Sequence, residues 1–108
     1  KDKEFDNVFN PPAGGGKSSF DKIIGVKAAA NKLEVSRFGV LVSVKISKKA
    51  TERNKIKRRI REIVMEEMKS MKSGYDMVII TLPEIKNKEF KDIKESLSRH
   101  FKKIGLYK

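Results

Sequence analysis

The chain has no cysteine, no tryptophan and a single histidine, and its 14 acidic residues are set against 26 lysines and arginines. Without cysteine there is no disulfide framework and no thiolate metal site, which fits a reducing compartment, the cytoplasm. No apolar run approaches the roughly 18 residues of a membrane span, and no signal-like pattern opens the chain. A membrane partner is therefore not expected. At 108 residues the chain has room for one modest core, so a single domain over residues 1–108 is expected. What it has in excess is positive charge. A net +12 on so small a fold repels itself unless a polyanion neutralises part of it, and nucleic acid is the leading partner class.

Periodicity divides the chain into segments. Phe5, Val8 and Phe9 stand at i, i+3 and i+4, one face of a short helix that Pro11 and Pro12 stop. So few residues are marginal as a free helix, so this one has to dock. "PPAGGGKSS" reads as a loop, "FDKIIGVKAAA" as a strand weakened by Gly25, and "NKLEVS" as a turn. In "RFGVLVSVKIS" the residues Phe38, Val40, Val42, Val44 and Ile46 point one way, while Arg37, Ser43, Lys45 and Ser47 point the other. From Thr51 the period becomes 3.6, with Ile56, Ile60, Ile63, Val64, Met68 and Met71 forming an apolar stripe that Gly74 should end. "YDMVIITLP" is a continuous apolar run, as in a buried strand. A last helix places Phe90, Ile93, Leu97, Phe101 and Ile104 on one face, with Gly105 after it. The order is helix, two or three strands, long helix, strand, helix, which predicts an α+β fold with helices packed on a small sheet.

Catalytic chemistry is hard to find. "GGGKSS" has the residue types of a phosphate loop, but the leading glycine of that pattern would fall where Pro11 and Pro12 stand. No buried strand precedes this segment and no helix follows it, so a plain loop is expected. His100 lies beside Phe101 on the apolar side of the last helix, and no Ser/His/Asp or paired-histidine set is legible around it; a packed histidine is expected. Asp2, Glu4 and Asp6 read as a solvated cluster rather than a metal site. Met65, Met68 and Met71 read as core or helix edge. If the function involves chemistry on RNA, this chain does not supply the reacting groups.

The strongest signal runs from Lys45 to Arg61. It holds nine cations, Lys45, Lys48, Lys49, Arg53, Lys55, Lys57, Arg58, Arg59 and Arg61, and one carboxylate, Glu52. On a helical wheel the stripe centres on Ile56 and Ile60, with Lys57, Arg61, Asn54 and Arg58 along one flank and Arg59 on the other. Solvated helices usually mix signs to gain i,i+4 pairs, whereas this one keeps Glu62, Glu66 and Glu67 until after the basic block. Segregation of this kind points to anion binding. Arginine's planar fork grips phosphate oxygens in pairs and stacks on bases, and Asn54 adds a neutral donor and acceptor among the cations.

"SVKISKKATERNKIKRRIRE" resembles the signature of the bacterial ribonuclease P protein component: a strand ending in Ser-Lys-Lys-Ala, then Arg-Asn-x-x-Lys-Arg-x-x-Arg. Arg53, Asn54, Lys57, Arg58 and Arg61 occupy the named positions. "EFDNVF", "RFG", "GYDMVIITLP" and "FKDIKESLSRHFKKIGL" follow the family's first helix, central strand, last strand and last helix in order. The resemblance implies a two-layer α/β sandwich with a mixed sheet of about four strands, shared with a ribosomal-protein domain, and a left-handed strand-helix-strand crossover. General rules favour a right-handed one. It further implies a protein subunit that binds ribonuclease P RNA and helps that RNA remove the 5′ leader of precursor tRNA, with Mg²⁺ held mainly by RNA and no small-molecule substrate. Carried over, Arg53, Asn54, Lys57, Arg58 and Arg61 contact the catalytic RNA, with Lys45, Lys48 and Lys49 where the helix begins. Phe5 and Phe9 line the leader cleft, where aromatic faces stack on unpaired bases. The family often carries an aromatic in the strand after the loop, where this chain has Ile23, Ile24 and Val26. A structural RNA-binding module without a role in tRNA processing is the alternative. A DNA-binding regulator reading the major groove with residues 53–62 would need a helix-turn-helix pair that the sequence does not show.

Overall fold

Asp21 decides how the sheet begins. Its Oδ1 accepts hydrogen bonds from the amides of Ile23 (2.8 Å) and Ile24 (2.9 Å), and its own amide donates to the Ile24 carbonyl. A short polar side chain that satisfies amides two and three residues on is a turn former. The stretch expected to be one strand is therefore a hairpin. In the computed structural model, which describes residues 16–108, β1 (Gly16–Phe20) pairs antiparallel with β2 (Ile24–Ala30). The Gly16-Lys17-Ser18-Ser19 segment, expected as loop, is strand. The short helix expected around Phe5, Val8 and Phe9 lies outside the described residues.

β3 (Arg37–Leu41) is followed by helix α1 (Ala50–Glu67) and a 3-10 turn (Met68–Ser70), then β4 (Tyr75–Thr81), a second 3-10 turn (Pro83–Asn87) and helix α2 (Phe90–Ile104). The strand order is β1-β2-β4-β3, with β2 and β4 antiparallel and β3 and β4 parallel. The β3–α1–β4 unit is thus a parallel crossover. This is the α+β fold with helices on a small sheet that periodicity predicts, and its four mixed strands are those the family resemblance implies.

β3 is shorter than its alternation predicts. Thr81 Oγ1 donates to the Leu41 carbonyl at 2.8 Å where β4 ends, and the Ile46 amide donates to the Ser43 carbonyl, turning the chain out of the sheet. Val40 and Ile46 are buried as expected, but Val44 is 63% exposed and Ser47, expected on the polar face, is buried.

Both helices cover one face of the sheet. Val26, Ile24, Met77, Ile79 and Val40 meet Ile60, Ile63 and Val64 of α1 and Ile93, Leu97, Phe101 and Ile104 of α2 in one apolar cluster. Full burial of each large side chain contributes about 1.5–3 kcal/mol. Phe90, expected on the buried face of α2, stays 43% exposed in its first turn.

Candidate nucleic-acid interface

Helix α1 is held by few side chains. Ile60, Ile63 and Val64 are its buried residues, and Ile56 packs against the cluster from a partly buried position. Arg53, Lys57 and Arg61 recur every fourth residue along one flank, and Asn54 and Arg58 stand beside them toward solvent. Asn54, Arg58 and Arg61 are exposed, whereas Arg53 and Lys57 are half-buried. All five motif residues thus share one side of the helix, and Lys45, Lys48 and Lys49 are exposed at its start.

Ser47 organises that start. Its hydroxyl donates to the Glu52 carboxylate, its oxygen accepts the Lys49 amide at 3.2 Å, and its carbonyl accepts Arg53 Nη1 at 2.9 Å. The Ser47 hydrogen bond, with the charges of Lys86, Lys49 and Lys55, holds the Glu52 carboxyl below its ordinary range. The one acid of the basic block is therefore tied to the backbone turn. Arg53 is in part a positioning residue, fixing the turn from which Lys48 and Lys49 project.

The second face of the sheet carries a different surface. Cross-strand pairing places Phe20, Gly25, Ile80 and Leu41 in one row, Ser18, Lys27, Val78 and Gly39 in the next, and Arg37 opposite Asp76 beyond them. Asp76, buried, accepts Arg37 Nε at 2.9 Å and Nη2 at 2.7 Å as well as Asn31 Nδ2 at 2.9 Å. Phe20 is 48% exposed, and its ring lies over Gly25, where a Cβ would fall inside it. Ile24 and Val26 of β2 face the core instead, and the aromatic on this face is Phe20, from β1. The signal was present in Phe20, but only the hairpin register assigns it to this face. Phe5 and Phe9 lie outside the described residues.

The structure also assembles a histidine cluster that the sequence did not reveal. Ser19 Oγ and His100 Nδ1 are 2.7 Å apart, and Asp21 Oδ2 lies 3.2 Å from His100 Nε2, off the line of a hydrogen bond. The same oxygen accepts Ser96 Oγ at 2.6 Å and Arg99 Nη2 at 2.9 Å. Burial opposes ionisation of Asp21, but the bonds from Ser96 and from the Ile24 and Ile23 amides, with the charge of His100, outweigh it and lower its pKa to about 2. Burial also pushes His100 below its ordinary value, partly offset by Asp21. With Ser19 and His100 both buried, the atoms of a Ser/His/Asp set serve here to fasten the hairpin to α2.

A four-stranded α+β sandwich presenting one cationic helix flank defines a small nucleic-acid-binding protein. Residues 1–105 match the Ribonuclease P family. The chain is 38% identical to the ribonuclease P protein component of Clostridium botulinum, an alignment covering 99% of this chain and 93% of that one. It is 35% identical to that of Fusobacterium nucleatum over 94% of this chain and 91% of its relative. Its fold superposes on the RNase P protein of Staphylococcus aureus with a TM-score of 0.86 and 27% identity, covering 100% of this chain and 94% of the other. On the Thermotoga maritima protein the TM-score is 0.79 and the identity 30%, covering 91% of each. The chain belongs to the ribonuclease P protein family. It is a protein subunit, itself non-catalytic, of a metal-dependent ribonucleoprotein endoribonuclease of tRNA processing, and it functions with an RNA subunit. A structural RNA-binding module outside tRNA processing is not favoured.

Proposed function

We propose that this subunit, folded as one domain over residues 1–108, docks on ribonuclease P RNA through α1 and holds the 5′ leader of precursor tRNA on the second sheet face. The observation that carries this reading is the placement of Arg53, Asn54, Lys57, Arg58 and Arg61 along one flank of a helix whose adjacent apolar stripe is anchored in the core. Lys45, Lys48 and Lys49 extend the contact where the helix begins. Arginine pairs with phosphate through two parallel donors, so the ridge binds backbone while Asn54 adds a directional contact. On the other surface Phe20 offers aromatic area for unpaired leader bases, each stacked base contributing about 1–3 kcal/mol, and Phe5 and Phe9, outside the described residues, are assigned to the same leader.

The RNA and its Mg²⁺ cut the phosphodiester, and the protein screens phosphate repulsion and positions substrate in the cytoplasm. Reconstitution tests this: the protein alone should cleave nothing, yet should restore leader removal by the cognate RNA at low Mg²⁺. No gain on adding protein would overturn the reading. Shortening the leader of precursor tRNA should weaken substrate affinity, and Phe20→Ala should abolish much of that leader dependence; affinity that ignores leader length would remove the leader-binding assignment.

A further inference from the structure

Residues from two distant parts of the chain close a cleft of about 490 Å³ at the start of α1. Lys45, Lys48 and Lys49 come from the segment leading into the helix, and Lys86 comes from the 3-10 turn after β4. Glu52 is the one carboxylate on its wall, and it accepts a hydrogen bond from the Ser47 hydroxyl. Among the described residues, none of the four ammonium groups has an ion-pair partner. Four cations round one carboxylate in a shared cleft raise the local potential, and an anion entering it relieves their mutual repulsion.

Lys86 is not a loosely presented surface lysine. Its neighbour Ile85 is buried in the main core, the Ile85 amide donates to Leu82 O at 2.9 Å, and the Lys88 amide donates to Ile85 O at 3.0 Å. The backbone that carries Lys86 is fixed, while its side chain is exposed. The charge of Lys86 acts on Glu52, which flanks the apolar stripe of α1 on the side away from Arg53, Lys57 and Arg61. The cationic surface therefore passes around the beginning of the helix.

We propose that the RNA wraps the N-terminal end of α1, contacting both flanks, and that Lys86 takes a backbone phosphate in the cleft it shares with Lys45, Lys48 and Lys49. This rests on the reading of α1 as the helix that faces ribonuclease P RNA, and it extends that surface to a segment outside the basic block. Lys86 is a binding residue here, with no part in cleavage chemistry.

The test is the salt dependence of binding between the full chain and cognate ribonuclease P RNA, measured for the wild type, Lys86→Ala, Arg58→Ala and Lys88→Ala. One lost phosphate contact flattens the log-log slope by about one unit. Lys86→Ala is expected to flatten it by that amount, as Arg58→Ala does, while Lys88→Ala leaves it near the wild-type value. A wild-type slope for Lys86→Ala beside a flattened Arg58→Ala overturns the wrap and leaves the one-flank interface standing. Equal flattening by Lys86→Ala and Lys88→Ala overturns it as well, since that is a general field effect. Wild-type slopes for both Arg58→Ala and Lys86→Ala overturn the α1 interface itself and the wrap with it. Unchanged circular dichroism for each variant ties the slopes to contact rather than to folding.

Discussion

Helix α2 opens with a capping box in which the Asp92 carboxylate accepts the Glu89 amide at 3.2 Å, and it closes on Gly105 in the left-handed region, with Lys102 and Lys103 in the last turn. Helix α1 opens at Lys49 with no side-chain cap, has no basic residue in its last turn, and gives way to a 3-10 turn. Six of the 15 residues of α2 are buried, against three of 18 in α1. The capping box, the glycine stop and the basic last turn are thus all in α2, whereas α1 has only the first-turn carboxylate of Glu52. A cationic N-terminal half is unfavourable beside the positive end of a helix dipole, so α1 is assembled against local preference and held by its apolar stripe. The contrast separates the helix that keeps the fold from the helix that presents charge to RNA.

The largest blow to that contrast should come from the core side of α2. Phe101 is fully buried, and Phe101→Ala is expected to cost about 3–5 kcal/mol in urea unfolding while the folded fraction keeps the wild-type salt slope for RNA. A changed slope would mean that the two helices are not functionally separate. Asp21→Asn comes next. With the carboxyl at about 2 in the fold against 3.8 ordinarily, its charge contributes about 2 kcal/mol. That stability is complete above pH 3.8 and is lost as the pH falls toward 2.

His100 has the same sign over a higher window. Its folded pKa lies below 6.5, so the unfolded chain binds the proton first and stability declines as the pH drops below 6.5. Urea midpoints measured against pH should show this decline in the wild type and lose it in His100→Gln. Asp92→Ala, which opens the cap of α2, should cost about 1 kcal/mol by the same unfolding assay. Smallest in stability are Arg58→Ala and Arg61→Ala, expected within about 0.5 kcal/mol of wild type because both side chains are exposed, although each flattens the RNA salt slope by about one unit. A loss of several kcal/mol from either would make α1 a structural helix and erase the distinction.

What could be read from the sequence follows the same division. The stripe of α2 from Ile93 to Ile104, though not Phe90 at its start, the apolar run of β4 and the charge segregation of α1 are local patterns that appear where they were expected. The motif itself, from Arg53 to Arg61, is contiguous and so was legible in full. The hairpin at Asp21 was missed because one carboxylate's hydrogen bonds to Ile23 and Ile24 outweigh an unbroken strand-like pattern. β3 was drawn too long because alternation cannot show where its partner β4 stops. Ser19 and His100 stand 81 positions apart, and Lys86 is brought to Glu52 only by the crossover, so neither grouping leaves a mark on any short stretch. Ser47 was set among outward-facing polar residues, yet its three hydrogen bonds make it the knot at the start of α1.

The ring of Phe20 over Gly25 has an implication for how related chains diverge. The aromatic occupies the volume a side chain at position 25 would need, so a side chain added there has to move the ring. Placing alanine at position 25 forces the ring off the strand, and replacing the ring leaves a bare glycine that weakens β2. The two positions are therefore expected to vary as a pair across relatives, and a library randomised at both should yield working proteins mostly in two solutions: aromatic with glycine, or a smaller residue at 20 with a larger one at 25.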